Sequence, residues 1–479
     1  MAAATAAPVW NYKSMFEKIA NIFRVPDLRN RVLFTLAMLA VYRLGAFIPT
    51  PGVNATALEQ FFNANSGSPL GLVDLFSGGM LRRLTIFALG IMPYITASII
   101  FQLLTVVYEP LARLQKEGEL GRRKITQWTR YVTVILGVVQ STAIALTLSH
   151  GSGGIQYVLN PGIGFVLMTV ITLTAGTTFV MWLGEQITDR GIGNGMSLLI
   201  FAGIVVGLPH GIAELVDTAR TQKFGAFTVP ALIILVVAMI AVVAFIVYVE
   251  RSERRIPVQY AKRIVGRRLM GGQSTHLPLK VNSGGVMPVI FAASVLSAPL
   301  LFSQASFVRN SAALTRIFDA LRAGEPWYEL LYIVAIVFFA YFYISIVFRP
   351  DDIADNMRKY GGFIPGIRPG KRTSDYVNDI LTRITLVGAI YLIVISLIPQ
   401  ILISGIHLNH LALVGPLFEK LPLWVTNGLG FNFYFGGTSL LIVVGVAMDT
   451  INQVESQLIM RHYEGFSPRS GRVRGRRSW

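Results

Sequence analysis

Cysteine is absent from the 479 residues. That excludes disulfides, thiolate-ligated zinc, iron–sulfur clusters and a thiol nucleophile. Charge is scarce: Asp, Glu, Lys and Arg make up 14% of the chain, against about 25% in a soluble domain. Length alone would allow roughly three soluble domains, but too few charges remain to cover three surfaces. The six His residues show no metal-ligand spacing. Gly191-Ile-Gly193-Asn-Gly195 superficially resembles a phosphate loop, but it lacks the Lys-Ser/Thr ending and a preceding strand. It reads as a tight turn. No Walker sequence and no nucleophile–base constellation occurs, so the expectation is a non-enzyme with no cofactor.

Apolar residues and basic charge are abundant. Hydrophobic residues make up 53%, mean hydropathy is +0.57, and 42 Lys and Arg face 25 Asp and Glu, for a formal net charge of +17. This composition belongs to a polytopic membrane protein with strongly basic exposed segments. A helical span needs about 20 mostly apolar residues, and ten stretches qualify. The uncharged ones are 85–107, 131–149, 161–184, 229–249, 330–348 and 384–406. Segment 283–303 is also uncharged but rich in Ser, Gly and Ala, with Pro288 and Pro299. The weaker three are 32–48 with Arg43, 196–213 broken by Pro209 and His210, and 435–453 with Asp449. Weak spans survive inside a bundle or beside a wet cavity. The Ala-rich residues 1–10 lack a basic region ahead of an apolar run, so no cleavable signal peptide is expected.

Ten spans put both termini on one side, and the distribution of Lys and Arg says which. The 1–31 segment, the loops 108–130, 250–282 and 349–383, the turn at Arg190 and the tail after 457 hold 33 of the 42. The opposite side holds 8, and Arg43 lies within a span. Both termini are therefore expected to be cytoplasmic. The spans divide as five (32–213) plus five (229–453), with the N-terminal half ending near 249, spans seven to ten within 283–456, and basic stretch 250–282 at the boundary. A five-span half reverses the side of its ends, so a repeat between halves would be inverted.

Four features bear on mechanism. Segment 70–84 is apolar but too short to span, and Ser77, Gly78 and Gly79 let it bend. It reads equally as a re-entrant half-helix or as an interfacial helix. The basic loops are long for a solute carrier. Arg251, Arg254, Arg255, Lys262, Arg263, Arg267 and Arg268 crowd into 251–268, and Arg368 sits on a Gly/Pro-rich turn. Such arrays suit phosphate-rich RNA or an acidic protein partner, with attraction to anionic lipid as the plainer explanation. Ionisable residues near midplane depth are few; Arg43, Glu185 and Asp449 lie near span ends. This argues against the rival class, an ion-coupled solute carrier. Span 283–303, with its small residues, is the expected moving element.

Several stretches resemble the SecY family of protein-conducting channels. They are 76–107 (FSGGMLRRLTIFALGIMPYITASIIFQLLTVV), 116–131 (KEGELGRRKITQWTRY), 181–209 (MWLGEQITDRGIGNGMSLLIFAGIVVGLP), 273–282 (QSTHLPLKVN), 361–370 (GGFIPGIRPG) and 434–449 (YFGGTSLLIVVGVAMD). The resemblance runs from about residue 15 to 465. It implies an all-α polytopic membrane protein with ten transmembrane helices in two pseudo-symmetric inverted halves of five, around an hourglass pore with a re-entrant plug half-helix at 70–84. It also implies a constricting ring at Ile91, Ile95, Ile200, Ile290 and Ile442, adjoined by Met196 and Met287. The implied lateral gate lies between 85–107 and 283–303, with Gln140 and Asn282 as its polar residues. Arg255, Arg267, Arg268 and Arg368 match docking positions for a motor or ribosome. The implied partners are the small subunits SecE and SecG, the motor ATPase SecA, the ribosome, signal-bearing precursors and membrane lipids, at the cytoplasmic (inner) membrane. The basic tail 465–479 departs from the pattern and has no assigned role.

Overall fold

The computed structural model describes residues 25–54, 57–58, 74, 77–150, 157–221, 228–260, 263–265, 268–270, 274–300, 311–321, 325–404 and 437–464. The helices are α1 Pro26–Gly45, α2 Met92–Val107, α3 Glu109–Lys116, α4 Glu119–His150, α5 Ile163–Arg190, α6 Gly195–Thr221, α7 Thr228–Arg251, α8 Met287–Leu300, α9 Ala312–Ala320, α10 Pro326–Val347, α11 Pro350–Lys359, α12 Lys371–Ser404 and α13 Gly437–Glu464. A helix lies on each of the ten apolar stretches. By length and composition, five helices among the described residues can cross a membrane, or six if α2 and α3 are taken together. Those two are bent by 99° at Tyr108. The break falls at Tyr108, whose backbone is extended, and Pro110 sits in the first turn of α3, where a proline is tolerated; it has no N–H with which to continue α2.

The contacts sort the long helices into two groups. In the first, α5 packs against α1, α4 and α6, and α4 packs against α2. In the second, α8 packs on α10, α10 on α12, α12 on α13, and α13 on α7. The groups meet along two seams. One joins α6 to α7 and α13, where the chain passes from one group to the other. The second joins α2 to α8.

Span 85–107 is shorter as a helix than the sequence suggests, because α2 begins only at Met92. Residues 78–91 are a succession of turns, with Leu84 at φ 40° and Gly78, Gly79 and Gly90 also at positive φ. This irregular backbone is held on both sides. Ile86 N–H donates to Ile48 O (3.0 Å), Thr50 N–H to Leu84 O (2.8 Å), and Thr85 bridges Pro49. Phe87 stacks between Tyr42 of α1 and Phe179 of α5. A side chain at Gly176 would collide with Ile86 O. Backbone of this kind is tolerated at membrane depth only when protein surrounds it, and here it lies between two apolar clusters. Met80, Phe87 and Ile91 belong to the central one, while Leu81, Leu84, Ala88 and Leu89 pack with Ile144, Leu148 and Phe165.

The turn at 191–194 is tight, as the sequence suggests. Thr188 Oγ1 accepts from Gly195 N–H (2.9 Å), and Thr35 Oγ1 of α1 accepts from Ile192 N–H (3.1 Å). A side chain at Gly195 would meet Gly184 O, which explains the glycine there.

The basic loop 250–282 is a β-hairpin, which the helical reading of the chain did not anticipate. Strand β1 (Glu253–Tyr260) pairs antiparallel with β4 (Ser274–Lys280) in the register Ile256↔Leu277, and with the short β5 (Gly362–Phe363) of the second basic loop. Strands β2 (Arg263–Val265) and β3 (Arg268–Met270) pair antiparallel in a separate two-stranded sheet. Ile256 and Leu279 bury into a small separate core with Ile364, Val377 and Leu381. The two longest basic loops are therefore a single folded unit. With 34 residues, α12 runs about 50 Å, longer than a hydrocarbon core of about 30 Å. The excess at its N-terminal end reaches this unit through Val377 and Leu381.

Candidate channel and gate

All five ring isoleucines are buried, none more than 7% exposed, and all belong to one apolar cluster. They come from four elements: Ile91 and Ile95 from the start of α2, Ile200 from α6, Ile290 from α8 and Ile442 from α13. Ile91 is the residue before the first turn of α2, and its carbonyl accepts from Ile95 N–H at 3.1 Å. The two side chains are thus one turn apart, although only Ile95 is on the helix.

A cavity of about 450 Å³ opens onto this cluster. Ile95, Ile200 and Ile290 line it together with Met196 and Met287. Its upper wall is polar: Gln102, Thr126, Arg130, Glu185, Thr188, Asp189 and Asn194, all near the basic loops. Arg130 of α4 and Glu185 of α5 are paired at 2.7 Å. The cavity is therefore a funnel, wet at the basic end and closed by aliphatic side chains. A narrow apolar constriction of this kind excludes ions by dewetting. Unbranched, polarizable Met side chains beside it can repack around different contents.

The segment read as a plug is described only at 74 and from 77 onward, with 70–73 and 75–76 outside the described residues. Asp74 and Ser77 are helical, and Gly78 to Leu84 are turns. Asp74 is fully buried and organises the turns after it. Its carboxylate accepts from Arg82 N–H (3.1 Å) and pairs with Arg82 Nε (2.5 Å). Its carbonyl accepts from Ser77 Oγ and Gly79 N–H, both at 2.9 Å. A buried carboxylate needs such a partner, because desolvation alone disfavours its charge. Gly78 sits on α6, where an added side chain would stand 2.6 Å from Gly203 O and 2.8 Å from Gly203 Cα. With Met80 in the same cluster as the isoleucines, the segment seats directly against the constriction. Sequence reading passed over Asp74; a lone acid in an apolar stretch was the available signal.

The two polar gate residues are not bonded to each other. Gln140 of α4 is buried, and its Oε1 has no hydrogen-bond partner. Asn282 donates from Nδ2 to Glu250 Oε1 (2.7 Å) and to Gly285 O (3.1 Å), both within the second helix group. Of the docking arginines, Arg368 is exposed on the turn between β5 and α12, with Gly366 and Gly370 at positive φ on either side. Arg255 is exposed on β1, and its Nε lies 2.7 Å from Glu253 Oε1. Arg268 lies in β3, and Arg267 is outside the described residues.

Membrane-length helices in two groups, a funnel ending on an aliphatic constriction and a buried segment pinned against it define a gated helical membrane channel. The SecY family model matches residues 85–451. The protein translocase subunit SecY of Streptomyces griseus is 48% identical over 466 residues, covering 94% of this chain and all of that protein. The Escherichia coli K12 subunit is 48% identical over 441 residues, covering 91% and 93%. The Aquifex aeolicus subunit is 45% identical, covering 94% and 99%. The chain belongs to the SecY family. Its fold is that of a solved protein-conducting channel (TM-score 0.63, 17% identity, 92% of this chain and 95% of that one). It is also that of Sec61 in the canine ribosome–channel complex (TM-score 0.58, 16% identity, 92% and 95%).

Proposed function

We propose that this protein is a passive channel for unfolded, signal-bearing polypeptides in the cytoplasmic membrane, with both termini and the basic unit on the cytoplasmic side. The observation that carries the reading is the funnel closed by Ile95, Ile200 and Ile290 with the 74–84 segment seated against the same cluster. Such a closure holds back ions at rest and yields to a peptide. A signal sequence displaces the segment and enters the seam between α2 and α8. The chain then crosses, or leaves sideways into lipid. That seam is the sparing one of the two among the described residues: α2 meets α8 there, whereas α6 meets both α7 and α13 at the other. Energy comes from outside the channel, from a SecA-type motor or the ribosome, with SecE and SecG as small membrane partners. The folded unit of β1, β4, β5 and the start of α12 offers Arg255, Arg268 and Arg368 as docking charges, and Arg267 belongs to the same basic loop.

The test is translocation into proteoliposomes holding the chain with both small subunits, plus SecA, ATP and a precursor, read by protease protection. Protection requiring ATP and an intact signal is expected. Its absence from an assembled complex with an active motor overturns the reading. In the same assay Arg368→Glu is expected to lower motor-driven export about tenfold or more, since it sets a repulsive charge at an exposed docking contact. Membrane insertion of the channel itself should not change. Equal export rates would remove Arg368 from the docking surface.

A further inference from the structure

We propose that Glu250 is a positioning residue for the gate: it holds Asn282 within the second helix group and so fixes the first turn of α8, with no bond from Asn282 across the α2–α8 seam. This rests on the gate reading above. Glu250 lies in the last turn of α7 and is 9% exposed, and Asn282 is 5% exposed. Both bonds from the Asn282 amide stay on its own side of the seam, one to Glu250 and one to Gly285 O at the entry to α8.

The backbone reinforces this junction. Val281 N–H donates to Ser252 O at 2.9 Å, two residues beyond Glu250, and Ile290 N–H donates to Val286 O at 3.2 Å. Gly388 of α12 closes it from behind. A side chain there would approach Val281 O to 3.0 Å and Asn282 Oδ1 to 3.8 Å. Gly445 of α13 lies against Val286 so closely that a side chain would overlap it. The other ionisable groups facing this junction are Lys280, paired with Asp449 at 3.9 Å, and the buried Tyr391 hydroxyl, which has no partner. Four elements thus converge on this junction, and the acceptor holding the Asn282 amide is the Glu250 carboxyl group. Losing the acceptor strands a buried N–H.

The consequence falls on the gate. The first turn of α8 carries Met287 and Ile290, which line the funnel. Whatever fixes that turn sets where the constriction closes. No polar bond from Asn282 crosses to Gln140, so an entering helix breaks no hydrogen bond between these two residues.

The chain has no native cysteine, so a cysteine pair placed across the seam, one in α2 and one in α8, reports alone. In the reconstituted complex, Glu250→Ala is expected to cut resting cross-linking about threefold or more. It should raise export of a precursor with a defective signal about tenfold. Glu250→Gln keeps an acceptor oxygen and should restore both readings to within about twofold of wild type. A double Glu250→Leu, Asn282→Leu variant leaves no stranded polar group. It should behave like Glu250→Ala and covers the case in which that variant fails to fold. Unchanged cross-linking and export in the Ala and double-Leu variants would overturn the proposal. So would a Gln variant as defective as Ala. Wild-type export of the intact precursor is measured alongside: its failure defeats the channel reading, whereas success with an unaffected Glu250→Ala defeats only this inference.

Discussion

Asp74→Ala is expected to raise the fraction of channels with a displaced plug segment by about a hundredfold. The substitution removes the carboxylate that accepts from the Arg82 backbone and side chain, while the backbone carbonyl that ties Ser77 and Gly79 stays in place. Breaking a buried ion pair by deleting one partner costs about 3–5 kcal/mol. Arg82 is 22% exposed, so the lower end applies, and about 3 kcal/mol corresponds to roughly two decades in a two-state population. Planar-bilayer recordings should show frequent openings without precursor. Reconstituted export should accept precursors with weakened signals. Asp74→Asn keeps an acceptor for the Arg82 N–H and should fall between. Closed, silent channels from a folded Asp74→Ala protein would show that the clasp does not hold the segment.

A second large effect is expected at the constriction. Changing Ile95, Ile200 and Ile290 together to Ser should raise resting ion conductance about tenfold or more. These three side chains form the aliphatic floor of the funnel, and hydroxyls in their place let water fill a gap that currently dewets. Ile→Val at the same positions, costing about 0.5–1.5 kcal/mol each, keeps the surface apolar and should leave conductance within about twofold. That control separates wetting from general loosening. Serine variants that assemble yet conduct like wild type would remove these residues from the seal.

Much of this was legible in the residues. Ten apolar stretches announced ten helices, because a bilayer admits few other ways to satisfy a backbone. The hairpin in 250–282 was hidden. Its alternation is short, only Ile256 and Val258 of β1 face inward, and its core residues lie about 100 positions apart in Ile256 and Ile364. The five isoleucines were named only through resemblance. A lone Ile in an apolar span has no mark distinguishing a pore from a lipid face, whereas its convergence with Ile from other helices does. For Asn282 the sequence named the residue but not its partner.

The sequence by itself determined that this is a membrane protein, where its helices run, and which loops carry the positive charge, since those depend on hydropathy and length along the chain. The tertiary structure alone decided that α2 starts only at Met92, that Asp74 clasps Arg82, that Asn282 belongs to Glu250 rather than Gln140, and that Ile95, Ile200 and Ile290 line one cavity. Each depends on which side chains meet across distant segments. Periodicity carries no record of that, because it fixes the face a residue occupies and not the residue it finds there.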